Sequence, residues 1–516
     1  MQQFEFDKIP HIGEIHAVHG AYDLNAPIQK DTLTLTERQF KNNKVIFSLQ
    51  KAIEQVGLKS GMTISFHHHF RNGDHVVNMV MDTIARMGIR DLTVAASSLT
   101  DIHSPLINHI KSGVIKHIET SGLRGELAEA ISRGAMDFPI VFRSHGGRAA
   151  AIETGELHID VAFLGAPSCD PYGNANGYNR DNAEGSCCGS LGYAKLDAIF
   201  ADKTIIITDN IAPFPNAPFG IPESQVDYIV KVDSVGDPKG IMSGATRYTK
   251  NPKELLIAKM AANVIEHSGY FYNGFSMQMG SGGASLATAR YLRDKMLEKG
   301  IKARFALGGI TGQIVSMHEE GLISKILDVQ SFDLIAANSL KNNRFHQQID
   351  ASYYASYVNR GAAVNQLDFV VLSALEIDVD FNVNVLTGSD GVIRGAIGGH
   401  PDTAEGASLT VVVAPLLRGR IPTVVERVNT IVTPGKTVDV LVTDQGVAVN
   451  PNRPEILERL DAAGIPVFSI ERLKARAERI VGVPEPIQYE DKIVGVVMYR
   501  NNSVIDVIKQ VKDIQI

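Results

Sequence analysis

Residues 65–75, "SFHHHFRNGDH", carry three consecutive histidines, an arginine, an asparagine and a fourth histidine. Imidazoles can ligate a metal, move a proton or donate to an anion. An arginine beside them can grip a carboxylate or phosphate through two parallel hydrogen bonds. In an extended run alternate side chains share a face, so His67 and His69 would lie together while His68 points away. A zinc or iron site wants three or four donors from suitably spaced elements, usually including a carboxylate or cysteine. Asp74 and His75 stand close by, but nothing like HExxH follows. The pattern points to an anion-handling loop rather than a metal site. Its donors would be His68, His69, Arg71 and Asn72, with Gly73 permitting a turn before a helix.

Three glycine clusters are the second set of candidates: "MGSGGAS" (279–285), "ALGGITG" (306–312) and "RGAIGGHPD" (394–402). Glycine lets a ligand approach the backbone, and N–H groups at a helix start attract phosphate, carboxylate or a developing oxyanion. The residues singled out are Ser281, Gly282, Gly283, Gly308, Gly309, Gly398 and Gly399, with Arg394 and His400 flanking the last loop. "GSGGAS" departs from GxGxxG only at Ser285, a weak dinucleotide signal, and no GxxxxGK[ST] occurs. Cys187 and Cys188 sit in "EGSCCGSLG"; aligning Gly185 with Gly395 sets Cys188 and Gly189 opposite Gly398 and Gly399. With no base supplied locally, these cysteines read as small buried thiols.

The elements that must position these residues occur twice. A strand at 62–66, a helix at 74–89 and a strand at 91–98 are matched by a strand at 274–279, a helix at 283–301 and a strand at 303–309. "DVAFLGAPSCDPYGNAN" (160–176) and "DFVVLSALEIDVDFNVN" (368–384) keep Asp160/Asp368, Asp170/Asp378, Asn174/Asn382 and Asn176/Asn384 in register without a gap. Alternating strands and helices predict an α/β fold with mainly parallel sheets, as two tandem homologous domains, 1–240 and 241–516, joined within 232–252. Polar groups present in both copies read as architecture, Asp and Asn capping turns. Glu376, beside the second Asp, is a possible catalytic carboxylate.

The 516 residues are 44% hydrophobic and 21% charged, the balance of a globular protein, and the net charge of −7 gives no reason to expect nucleic acid or an acidic membrane as partner. Three cysteines without a CxxC pair suit a reducing cytosol, and no run of about 18 apolar residues could span a bilayer. The expected location is cytoplasmic.

The duplicated blocks and "GAIGGHPD" resemble the coenzyme A transferases. Within them, "FHHHFRNGDHVVNMVMD", "GAPSCDPYGNANG" and "GFSMQMGSGGASLATARYL" look like the alpha subunits of bacterial citrate lyase, over nearly the whole chain. The resemblance implies a transferase that converts acetyl-carrier protein and citrate to citryl-carrier protein and acetate. Its partners would be the acyl carrier protein (gamma chain) and the lyase beta chain, in an oligomer. No cofactor would be bound by this chain, which would act on the carrier's coenzyme A-derived prosthetic group. An alternative is another acid, citramalate or acetate, with free coenzyme A. First-class coenzyme A transferases use a glutamate in Ser-Glu-Asn-Gly, yet 301–317 here lacks Asp and Glu. The resemblance then implies attack by the substrate carboxylate, through a mixed anhydride. Gly398 and Gly399 would be oxyanion donors; Ser281, Gly282, Gly283, Gly308, Gly309, Arg394 and His400 would face the thioester and coenzyme A moiety; His68, His69, Arg71 and Asn72 would hold citrate.

Overall fold

The computed structural model describes residues 43–67, 69–179, 187–242 and 248–512. His68 lies outside them. Strands β1 (Val45–Ile46), β2 (Thr63–Phe66), β3 (Leu92–Ala96), β4 (Ile115–Thr120), β5 (Ile140–Phe142), β6 (Val161–Gly165), β7 (Lys203–Thr208) and β8 (Tyr228–Lys231) form one parallel sheet, in the order β1-β8-β7-β6-β2-β3-β4-β5. The second sheet uses β9 (Ser276–Met279), β10 (Ala303–Ile310), β11 (Ile323–Ser331), β12 (His346–Gln348), β13 (Phe369–Ser373), β14 (Leu409–Val413), β15 (Val440–Thr443) and β16 (Gly446–Val449). Its order is β12-β11-β10-β9-β13-β14-β15-β16, parallel except for the last pair.

From β8 to β5 and from β15 to β12 the two orders are the same, so the repeat read in the sequence is a repeat of topology. The strands carry near-continuous apolar runs, as "LTVVV" in β14 with all five residues buried, because helices cover both faces of a parallel sheet. A C-terminal hairpin, β17 (Tyr489–Met498) and β18 (Val504–Val511), departs from the repeat by pairing β17 with β5 of the first sheet. Among the described residues no helix is long and apolar enough to cross a membrane.

The predicted elements hold, and their ends move for local reasons. The helix expected over 74–89 is α1 (Val76–Arg86), since Asp74 stays extended and its carboxylate accepts the Val77 N–H at 3.0 Å. The glycine-opened helix is α4 (Gly283–Lys299), stopped by Gly300 at φ 64°. Between them α2 (His145–Glu153) and α3 (Gly192–Phe200) pack on the first half; α5 (Gly312–Glu319), α6 (Ala351–Ala355) and α7 (His400–Gly406) belong to the second.

The duplicated polar residues serve as turns. Asp170 Oδ1 accepts the N–H groups of Tyr172, Gly173 and Asn174, and Asp378 Oδ1 accepts those of Asp380 and Asn382. Asp160 receives the Thr63 N–H at 2.7 Å and Asp368 the Ser276 N–H at 2.8 Å, pinning equivalent strand starts.

Candidate active site

Each sheet reverses its strand order beside its first long strand: β3 lies on one side of β2 and β6 on the other, and β10 and β13 flank β9 likewise. Open α/β sheets bind ligands at such reversals, beyond the carboxyl ends of the strands. His67 and His69 follow β2, and the loop Gly280–Gly282 follows β9.

The first-half wall is a buried polar chain. Arg148 on α2 donates from both terminal nitrogens to Asp197 on α3, each at 2.8 Å, and also to the Ala95 carbonyl at 3.2 Å. Asp197 Oδ2 lies 2.8 Å from His67 Nε2. The His69 ring stacks on His67 with centroids 5.6 Å apart. Both imidazoles are buried, and none of their four ring nitrogens makes a hydrogen bond of good geometry among the described residues, the 2.8 Å approach of His67 Nε2 to Asp197 being a close ion-pair contact. No group of three possible metal donors forms around them among those residues. Arg148 and His67 together hold the Asp197 carboxyl far below the usual range despite its burial.

The second-half wall is the late glycine loop, which the first half holds directly. Ile397 N–H donates to Ser121 O at 2.7 Å, Leu123 N–H to Gly395 O at 3.0 Å and His145 N–H to Gly398 O at 2.9 Å. Asp402 on α7 accepts from Ser144 Oγ and from the Gly146 N–H, both at 2.8 Å. Gly398 has φ 56° and Gly399 caps α7. Neither glycine amide donates to a group among the described residues. The His145 ring packs against Tyr193 with centroids 4.4 Å apart and planes tilted by 39°, its Nδ1 is buried without a partner among the described residues, and a Cβ on Gly398 would stand 3.7 Å from its Nε2. Beneath Gly399 the Tyr354 hydroxyl accepts from Gln278 Nε2 at 3.0 Å, and Gln278 in turn fills the space left by Gly308, at φ 97°. Two amides without an acceptor among the described residues thus stand where both halves meet, with the His145 ring beside Gly398, an arrangement suited to an acyl oxyanion.

A family model described as citrate lyase, alpha subunit, matches residues 42–511. The chain belongs to that family. The citrate lyase alpha chain of Escherichia coli (strain K12) is 57% identical over 489 residues, 95% of this chain and 94% of that one. The citrate lyase alpha chain of Klebsiella pneumoniae is 58% identical over 478 residues, 93% of each. A crystal structure of the alpha subunit of citrate lyase from Streptococcus mutans, in complex with citrate, has a TM-score of 0.89 at 57% identity and covers 92% of both chains. A malonate decarboxylase alpha subunit from Acinetobacter baumannii, at 16% identity and TM-score 0.64 over 87% of this chain and 94% of that one, shares the fold alone. The α/β class with mainly parallel sheets, expected from the sequence, is the class observed.

The other sequence candidates of this chain fall in distinct places. Arg71, at φ 54°, reaches the second half, its guanidinium 5.0 Å over the Phe332 ring, and that ring fills the space beside Gly309. Burial and the neighbouring Arg124 pull the Arg71 value down to about 10. Asn72 Nδ2 contacts Asp101 Oδ2 at 3.5 Å. Ser281 and Gly282 precede α4, where Gly282 leaves room for Ser373 Oγ and Gly283 opens the helix. Arg394 is half-exposed and paired with Asp390. The buried His400 ring faces Thr433 Oγ1 at 2.6 Å and Ser373 O at 3.0 Å, so both nitrogens are engaged within the fold. Glu376 is buried and receives Asn384 Nδ2, Asn429 N–H and Asn429 Nδ2 at 2.8–3.0 Å, while burial raises its value. Such full satisfaction belongs to a structural carboxylate.

The cysteine loop needs a correction: the starts of α3 and α7 pair Gly192 with His400, an offset of 208, so aligning Gly185 with Gly395 is two residues out. Cys188 is a buried thiol, its value raised by burial. His145, Arg148, Asp197, Gln278 and Tyr354 escaped the sequence reading. For two of them the signal was a polar residue between apolar neighbours, Gln278 between Met277 and Met279 and Asp197 between Leu196 and Ala198.

These buried groups set a pH dependence. Burial lowers His69 to about 3, with His67 reinforcing it and Asp197 opposing, and lowers His400 to about 4 against its contact with the Ser373 carbonyl. Below the ordinary 6.5 the unfolded chain takes up protons that the folded one does not, so stability falls with pH. Asp402, raised to about 6 by burial, acts in the opposite sense because the fold binds its proton first. His145 is likewise lowered to about 3 by burial, with Arg148 and His67 reinforcing it, so from pH 7 to 5 the three histidines cost just under about 2 kcal/mol each and Asp402 returns about 1, a net loss of about 4 kcal/mol. Urea midpoints at pH 7 and 5 check this; an equal or higher midpoint at pH 5 contradicts it.

Proposed function

We propose that this chain is the transferase of citrate lyase, exchanging the acyl group on a carrier-protein thiol: acetyl-carrier protein plus citrate gives citryl-carrier protein plus acetate. The carrying observation is the pair of Gly398 and Gly399 amides that have no acceptor among the described residues, with the first-half His145 ring beside Gly398, in a chain 57% identical to a relative described in complex with citrate. A citrate carboxylate attacks the acetyl thioester carbonyl, the tetrahedral oxyanion draws on the two amides, and the thiolate leaves. The thiolate then attacks the citryl carbonyl of the mixed anhydride, and acetate departs. No enzyme carboxylate is needed as nucleophile, in keeping with the absence of Asp and Glu from 301–317. The loops at Ser281–Gly283 and Gly308–Gly309 line the thioester arm, and His69, Arg71 and Asn72 serve the acid. The carrier protein and a lyase beta chain complete a cytoplasmic complex.

The test incubates the purified chain with acetyl-carrier protein and citrate, without a beta chain, and follows the carrier by intact mass. Conversion to citryl carrier with release of acetate supports the reading; no conversion of a competent carrier removes it. Arg71→Ala should raise the citrate KM roughly tenfold, the order expected for one charge-assisted contact, with little change in melting temperature. Unchanged citrate kinetics would take Arg71 out of the site.

A further inference from the structure

His67 has no role in the transfer as derived above, yet it is the most firmly oriented side chain of the cluster. Asp197, locked by the two-pronged Arg148 contact, stands 2.8 Å from Nε2. Neither ring nitrogen meets hydrogen-bond geometry with a described residue, but the ionised carboxylate beside Nε2 draws the ring proton to that nitrogen, which leaves Nδ1 as a lone pair. That lone pair is buried and has no donor among the described residues. A carboxylate oxygen cannot satisfy it, because two lone pairs would face each other. Fully ionised citrate carries one hydrogen-bond donor, its tertiary hydroxyl.

We infer that His67 Nδ1 accepts the hydrogen bond of the acid substrate's hydroxyl, making His67 the residue that selects a hydroxylated polycarboxylate over the same skeleton without the hydroxyl. Asp197 and Arg148 act as positioning residues that hold the tautomer. The inference rests on the citrate reading and adds how the acid is recognised. Burial and the Arg148 charge lower the His67 value against the pull of Asp197, which keeps the ring neutral and an acceptor. A site built to bond a hydroxyl rejects the analogue lacking it, because its own buried group is then left unpaired.

The experiment measures calorimetric binding of citrate and of tricarballylate, which is citrate without the hydroxyl, to the full chain, and runs the carrier exchange with each acid. Wild type should prefer citrate at least roughly tenfold in both assays. His67→Gln keeps a donor towards Asp197 but removes the acceptor, so the citrate-to-tricarballylate ratio should fall towards one. His67→Asn, which keeps a polar atom near the Nδ1 position, should retain part of the ratio. A purely structural His67 would lower both acids equally and leave the ratio intact, which overturns the inference. Equal use of the two acids by wild type overturns it without any variant, while leaving the citrate reading in place. Binding and exchange of neither acid would remove the citrate reading and this inference with it.

Discussion

Gly399→Ala lowers the rate of acetyl-to-citryl exchange by at least roughly a hundredfold, the cost of losing one oxyanion donor. A Cβ at this position would stand 2.3 Å from Tyr354 Oη, closer than any real contact, so either the amide or the tyrosine must move. The amide is the vulnerable partner, because Tyr354 is fully buried and tied to Gln278. Adding Tyr354→Phe removes the clashing atom and leaves ring carbons at 3.1 and 3.3 Å, a tight fit that needs only a small shift. The double variant should therefore recover about tenfold or more of the rate. Tyr354→Phe alone leaves the Gln278 amide without its acceptor and costs roughly 1–3 kcal/mol of stability. Exchange rates from intact mass, with melting temperatures for each variant, separate the two effects. A wild-type rate in Gly399→Ala would sink the oxyanion assignment.

Arg148→Met destabilises the fold by about 3–5 kcal/mol, because it strips the partner from a buried carboxylate. Asp197 would keep only His67 at close range, and Arg148 would no longer satisfy the Ala95 carbonyl. Arg148→Met with Asp197→Leu removes both charges and should regain most of the loss, since an apolar replacement for a buried pair is often close to neutral. Urea unfolding of the three proteins provides the cycle. If the single variant costs less than about 1 kcal/mol, the pair is not a committed buried ion pair and the orientation of His67 loses its support.

The repeat was legible because its signals are local. Apolar strands, glycine-opened helices and Asp–Asn turns are written in consecutive residues, and the shared spacing of Asp160/Asp368 and Asp170/Asp378 follows from caps that act within one turn or between neighbouring strands. The glycine loops were legible for the same reason, since a positive φ at Gly308 or Gly398 needs glycine whatever surrounds it. His69 and Arg71 were likewise marked by their own loop.

What the linear order could not express is which polar groups meet. His145, Arg148, Asp197 and His67 come from three separate elements, and Tyr354 and Gln278 from two more; none forms a motif by spacing. Their pairing depends on α2 packing against α3 and on the first half gripping the loop at 395–398, the latter through contacts between residues more than 250 positions apart. Sequence marked His400 and Glu376 by their types alone and could not show that their polar atoms meet Thr433, Ser373, Asn384 and Asn429. The amino-acid order alone determined the duplicated α/β plan, the turns and the glycine loops, because these obey short-range sterics and hydrogen bonding. Only the tertiary structure decided which imidazoles and amides lack a partner among the described residues at the junction, because burial and the loss of water as a partner are properties of the packed whole.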